Sequence, residues 1–359
     1  MSKLSKLPSA LGYRMPAEWE PHASTWLAWP HFKGDWPGKF EPVPWVYAEI
    51  IRNLARHERI DLILNSVRAE NDARAVLDRA DALSDNVRFH LWRTDRVWMR
   101  DSGCIFLTRD AELLALHFQF NAWAKYDNYK LDAKVGARMA KSEGARIVRP
   151  AFTDQASEER LVVLEGGSID VNGRGTLLTT EECLLSTMQQ RNPGMDRTAY
   201  ERLFADYFGI QTVIWLGDGI EGDDTHGHVD DLARFVSPDT VVTMVEPDAQ
   251  DANYSALEHN LGRLRAARDQ DGHRLNIVEI PMPSPVIFEG RRLPASYANF
   301  YIANGIVLVP VFNDPMDRIA LNTLSDLFPS REIVPIYSGD LIWGFGAMHC
   351  MTQQQPKTV

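Results

Sequence analysis

Residues 164–180 read LEGGSIDVNGRGTLLTT. The apolar run 161–164 (LVVL) ends at Glu165 and two glycines, and Asn172-Gly173 then falls between two strand-like runs. Asn-Gly in that position reads as a hairpin, because both residues accept the positive φ that tight antiparallel turns need. The unit is a strand, a polar glycine-bearing cluster, and a further strand. The same plan recurs at WMRDSG around Asp101, THGHVDD around His228, YANFYIANG around Asn299 and GFGAMHC around Cys350. With Glu165, these centres follow one another at intervals of 51 to 71 residues. Such uneven spacing is a weak repeat. A ring of similar modules, each delivering one polar cluster to a shared centre, would produce it.

Between the clusters, apolar residues at three-to-four spacing predict helices over 44–57, 69–83, 197–208 and 250–269, the last after a Pro247-Asp248 start signal. Short β-branched or apolar runs predict strands at 60–65, 161–164, 212–216, 240–245, 275–280, 306–312 and 333–337. The class is therefore α/β or α+β. A length of 359 residues would ordinarily imply two domains, a closed repeat architecture being the exception. No Pro/Ser-rich linker divides the chain.

Composition narrows the function. A net charge of −11 disfavours nucleic acid as a partner and would draw a small cation toward a site. Cys104, Cys183 and Cys350 are far apart and form no CxxC pair, which speaks against a disulfide scaffold or a structural zinc site. The start of the chain, MSKLSKLPSALGYRMP, has no apolar run of the secretory kind, and no segment reaches the roughly 18 apolar residues of a membrane span. No membrane partner and a cytoplasmic location are expected.

The clusters supply candidate chemistry. If THGHVDD is a strand, His226, His228 and Asp230 share a face, and His228 beside a carboxylate can act as a general acid/base. The same trio supplies three of the four specified residues of a metallohydrolase HxHxDH pattern, broken at the sixth position by Asp231. Cys350 lies in a glycine-rich polar turn rather than an apolar run. As a nucleophile it needs a base or positive charge from elsewhere, because His349, its chain neighbour, would point away in an extended segment. In VWMRDSG, read as a strand, Trp98 and Arg100 take one face, Met99 and Asp101 the other.

Seven ordered segments together resemble the agmatine deiminases of the guanidino-group-modifying (pentein) superfamily, which includes bacterial-type peptidyl-arginine deiminases. They are RMPAEWEPHASTWLAWP (14–30), VWMRDSG (97–103), LEGGSIDVNGRGTLLTTEECLLS (164–186), RNPG (191–194), GHVDDLARF (227–235), SYANFYIANG (296–305) and HCMTQQQP (349–356). The resemblance implies one catalytic domain over 1–359, a five-bladed pseudo-symmetric α/β propeller of ββαβ modules. By position it implies Cys350 as nucleophile, His228 as acid/base, Asp101, Glu165 and Asp230 as guanidinium-binding acids, and Trp98 along the substrate's alkyl chain. It implies no metal and no organic cofactor, a small cationic guanidino substrate, and a dimer or larger homo-oligomer.

The residue types fit that chemistry. Carboxylates match the planar guanidinium fork and fix its plane, leaving one face open to a thiolate. The substrate cation can itself help hold Cys350 as thiolate. Agmatine carries a second cation, and Asp223 and Asp224 of the run Glu221-Gly-Asp223-Asp224 are placed to receive it, whereas free arginine would call for a cation there. The departures are His226 and Asp231, where the family often has Asn, and Phe345-Gly-Ala347-Met348, where it is richer in glycine. All lie beside the expected pocket, so arginine or peptidyl-arginine is the alternative substrate on the same fold, and a metallohydrolase built on His226, His228 and Asp230 is the alternative chemistry.

Overall fold

Around Asn172-Gly173 the strands Asp170–Val171 and Thr176–Thr180 pair antiparallel. Asn172 shapes the turn by accepting the backbone N–H groups of Arg174 and Thr176 at 2.9 Å, while Gly173 and Gly175 take positive φ. The computed structural model describes residues 6–153 and 158–358, so the first five residues of the N-terminal segment lie outside the description. After the hairpin the chain forms the helix Arg197–Phe208, capped by the Asp196 side chain and ended by left-handed Gly209. It returns as Thr212–Leu216, parallel to Thr176–Thr180.

Four other sheets repeat this pairing. Ile105–Arg109 and Glu112–Leu116 are antiparallel, and Arg146–Val148 adds parallel. Ala233–Ser237, Thr240–Val245 and Asn276–Pro281 do the same, as do Tyr301–Ala303, Ile306–Val311 and Glu332–Tyr337. In the fifth, the C-terminal strand Gln353–Pro356 pairs antiparallel with His22–Ala28, which is parallel to Arg59–Leu64, and Val87–Leu91 extends the sheet. Helices Val43–Leu54, Val135–Ser142, Tyr254–Ala266 and Asp317–Leu327 lie between the second and third strands of their sheets. The fold is α/β. No described helix is long and apolar enough to cross a membrane.

Three expectations are corrected. Residues 97–103 are not a strand but a turn into the short helix Met99–Ser102, because the Trp98 carbonyl accepts both the N–H and the hydroxyl of Ser102. Residues 225–231 are a loop and a 3-10 turn. The Asp223 carboxylate gathers the N–H groups of Thr225, Gly227 and His228, so no strand ladder forms. The run 161–164 is strand only to Leu161; Val163 makes an isolated bridge to Gln119.

Candidate active site

Cys350 stands in the four-residue helix Met348–Met351, just before the strand Gln353–Pro356 that pairs with His22–Ala28. Asn299 fixes it. The amide oxygen accepts the His349 N–H at 3.1 Å, and the amide nitrogen donates to the Cys350 sulfur at 3.2 Å. A Cβ on Gly346 would lie 2.6 Å from the Trp98 ring and 3.0 Å from the Cys350 Cβ, so glycine is what lets Trp98 and Cys350 approach one cleft. Asp101, Trp123, Asp35 and Asp224 also line that cleft.

Each acid has its own support. Asp101 accepts the Trp123 indole N–H at 2.9 Å and the Gly167 N–H at 3.2 Å. Trp123 sits with Ala122 and Ala124 in three consecutive positive-φ conformations. At non-glycine residues that strain costs on the order of 1 kcal/mol each, and tertiary contacts hold it. Glu165 accepts from Arg191 Nε at 3.1 Å, both side chains being fully buried. Asp230 meets the His349 ring at 2.6 Å, and the other His349 nitrogen meets Glu18 at 2.7 Å. The segment is helical rather than extended, and the His349 ring is taken up by Glu18 and Asp230, so that it props Asp230.

His228 is at the centre. Its Nε2 is 3.7 Å from Glu165 Oε2, and its Nδ1 is 3.9 Å from Asp101 and 4.0 Å from Asp230. These are ion-pair distances, too long for hydrogen bonds. Glu165 Oε2, Asp230 Oδ1 and both His228 nitrogens are therefore buried without a hydrogen-bond partner. Each such atom costs about 1–3 kcal/mol. Gly167 makes the gathering possible, since a Cβ there would stand 2.5 Å from His228 Nδ1 and 3.0 Å from Asp230 Oδ2.

The charges set the protonation states. Burial raises the Cys350 pKa, and the Asp230, Asp231 and Asp101 charges push it further up. Burial would depress His228, but Asp101 first and then Cys183 and Glu165 outweigh it and raise its pKa. Burial would likewise raise Glu165, yet Arg191 and His228 bring it down to about 2. Asp101 rises to about 6, from burial first and from the Asp230 and Glu165 charges next, against the pull of His228.

Of the two tail-site candidates, only Asp224 lines the cleft. It is engaged by Lys125 Nζ at 2.6 Å, the Tyr126 hydroxyl at 2.5 Å and Arg291 at 3.3 Å. Both oxygens of Asp223 are used within the His228 loop, on three backbone N–H groups and the Thr225 hydroxyl. His226, at φ 65, turns toward Glu182 and Ser186. It shares no face with His228, so the His226–His228–Asp230 metal set does not assemble. Cys104 is packed in the core against the Gly136 segment. The described residues do bring Glu165, Cys183 and His228 within metal-ligating reach of one another.

Residues 14–356 match the Porphyromonas-type peptidyl-arginine deiminase family. The chain belongs to that family. It is similar to the agmatine deiminase of Pseudomonas syringae pv. tomato, 35% identical over 380 residues and covering 99% of each chain. Similarity to the agmatine deiminase of Pseudomonas aeruginosa is again 35% over 380 residues, with 99% of each covered. The solved agmatine deiminase of Enterococcus faecalis superposes with a TM-score of 0.90 at 30% identity, over 99% of both chains.

Several groups of this deiminase escaped the sequence reading as site residues. Asn299 had a signal, being the centre of one polar cluster. Arg191 lay in the RNPG word without an assigned role. Trp123 and Asp35 had none, since their positions depend on left-handed backbone and on tertiary packing.

Proposed function

We propose that the chain hydrolyses agmatine to N-carbamoylputrescine and ammonia. The observation that carries this reading is the group of four buried, unpartnered polar atoms, Glu165 Oε2, Asp230 Oδ1 and the two His228 nitrogens, beside the Cys350 sulfur. A guanidinium brings N–H donors in one plane to the one oxygen each of Glu165 and Asp230 that lacks a hydrogen-bond partner, so its binding recovers their desolvation cost. Asp101 completes the cradle, and the Trp98 face supports the alkyl chain.

The cation also solves the nucleophile's problem. In the free enzyme the surrounding acids keep Cys350 a thiol. The bound guanidinium neutralises them, the thiol proton passes to solvent, and the thiolate adds to the guanidinium carbon. His228, kept protonated by Asp101 and Glu165, gives its proton to the departing nitrogen, which leaves as ammonia. An amidino thioether remains on Cys350. The now neutral His228 takes a proton from water, whose oxygen attacks the same carbon. The thiolate is expelled, the proton on the product oxygen returns it to the thiol, and the ureido product is released.

Two acids in the cleft support an ammonium-tailed substrate. Asp224 is one. Asp35 is the other: one oxygen pairs with Arg96 at 2.5 Å, the second is buried without a partner, and burial raises its pKa to about 7. One observation favours the second reading, arginine or peptidyl-arginine: Lys125 and Arg291 both reach Asp224 and offer cations to a carboxylate. Comparing kcat/KM on agmatine, arginine and an arginine-ended peptide decides. Preference for agmatine supports the proposal, and preference for either carboxylate-bearing substrate overturns it.

The five sheets with one pairing plan support a further part of the proposal, that they are the blades of a five-fold pseudo-symmetric propeller forming one catalytic domain. The dimer or larger assembly implied by the resemblance belongs to the same reading, and light scattering tests it.

A further inference from the structure

The reaction derived above leaves Cys183 without a task, although its thiol is buried beside the His228 ring. Glu165, Cys183 and His228 each offer one ligand atom, and the three atoms all lie within 4.8 Å of one another. Glu165 Oε2 and the His228 nitrogens are buried and lack a hydrogen-bond partner, Nε2 standing 3.7 Å from Oε2. Arg191 occupies only the other oxygen of Glu165. Cys183 is tied to the His228 loop through Thr180, whose hydroxyl accepts the Cys183 N–H at 3.0 Å and donates to the Gly227 carbonyl at 2.5 Å. The thiol and the imidazole are thus held in one frame.

A thiolate, an imidazole and a carboxylate, with a fourth position open, form the donor set that suits zinc best among common divalent ions. Bond lengths of about 2.0–2.3 Å place tetrahedral donors roughly 3–4 Å apart, so a small contraction of the present cluster suffices. Asp101 and Asp230 add negative charge around the position. We propose that Glu165, Cys183 and His228 form a soft-metal site, and that a bound zinc ion inhibits the enzyme by occupying the acid/base and one arm of the guanidinium cradle. Binding expels the Cys183 proton and any proton on His228, and involves no redox step. The binding claim stands on geometry alone, while the inhibition claim rests on the function proposed above.

The rival site is Cys350 with His228. The test is zinc titration by calorimetry and cobalt(II) absorption on three proteins: the wild type, Cys183→Ser, and a Cys104→Ala/Cys350→Ser form in which Cys183 is the remaining thiol. One equivalent of zinc in the wild type, a thiolate-to-cobalt band in the double variant and loss of binding in Cys183→Ser are expected. No binding in the wild type, no thiolate band in the double variant, or unchanged binding in Cys183→Ser overturns the site. Should Cys183→Ser not fold, the cobalt band of the double variant decides. Separately, zinc is expected to raise the apparent KM for agmatine with kcat unchanged. Stoichiometric binding without that effect overturns the inhibitory role, and binding is read even if agmatine is not turned over.

Discussion

Cys350 Sγ lies 3.7 Å from Asp230 Oδ2, so the proposed nucleophile stands against a carboxylate rather than against a cation. That contact raises the thiol pKa in the free enzyme. Removing the charge in Asp230→Asn is expected to make Cys350 more acidic. Alkylation of Cys350 by iodoacetamide at neutral pH should accelerate, while turnover falls on the order of 100-fold or more because the cradle loses an arm. Slower alkylation would show that Asp230 is not what restrains the thiol.

Gly167 forms the wall behind His228, Asp230 and Asp101. In Gly167→Ala the new Cβ must displace the imidazole or the carboxylates, at a cost of about 1–3 kcal/mol. A folded protein with turnover reduced well beyond its loss of stability is expected, read by Tm and kcat together. Near-normal kcat would mean that the ring positions are not needed.

Asp101 gives a pH dependence with a defined sign. Its folded pKa of about 6 lies above its ordinary 3.8, so the folded state holds the proton more tightly than the unfolded chain does. The associated stability is fully present below pH 3.8 and is lost as pH rises through about 6, up to about 3 kcal/mol. Asp101→Asn should therefore raise Tm at pH 7–8 relative to the wild type and have little effect near pH 4. In the wild type, kcat/KM should fall on the acid side near pH 6, because the guanidinium needs Asp101 ionised. An acid limb unchanged in position in a residually active Asp101→Asn would assign it to another group.

Asp35 should act on binding of the tail. Asp35→Asn is expected to raise KM for agmatine about 10-fold or more with kcat nearly kept, the pattern of lost uniform binding. An alkylguanidine without the second amine should be indifferent to the change. Equal losses on both substrates would make Asp35 a scaffold for Arg96 only.

Legibility in the sequence follows local physics. The helix Arg197–Phe208 was readable to the residue, since Asp196 caps it and Gly209 stops it. Thr212–Leu216 and Thr240–Val245 were readable as β-branched runs. The strand His22–Ala28 was not, because it is buried on both faces and carries polar Ser24 and Thr25, one on each. They are satisfied by Gln355 at 3.3 Å and Tyr301 at 2.6 Å, from distant parts of the chain. In the site, Cys350, His228, Asp101, Glu165 and Asp230 could be named because each lies in a distinctive word, and the structure brings all five together. The alternation argument for His226 failed because the Asp223 carboxylate, not a strand ladder, organises that loop. Trp123 and Phe345 depend on left-handed backbone that ordinary side chains rarely adopt, and no local pattern announces it.

Covalent catalysis by Cys350 is open to a direct trial by rapid acid quench followed by mass spectrometry of the peptides. Mixing enzyme with agmatine and quenching within the first turnover should give the Cys350 peptide carrying agmatine less one ammonia. Cys350→Ser should show neither the adduct nor turnover. An unmodified Cys350 peptide during steady turnover, or a Cys350→Ser variant that still forms ureido product, would contradict it.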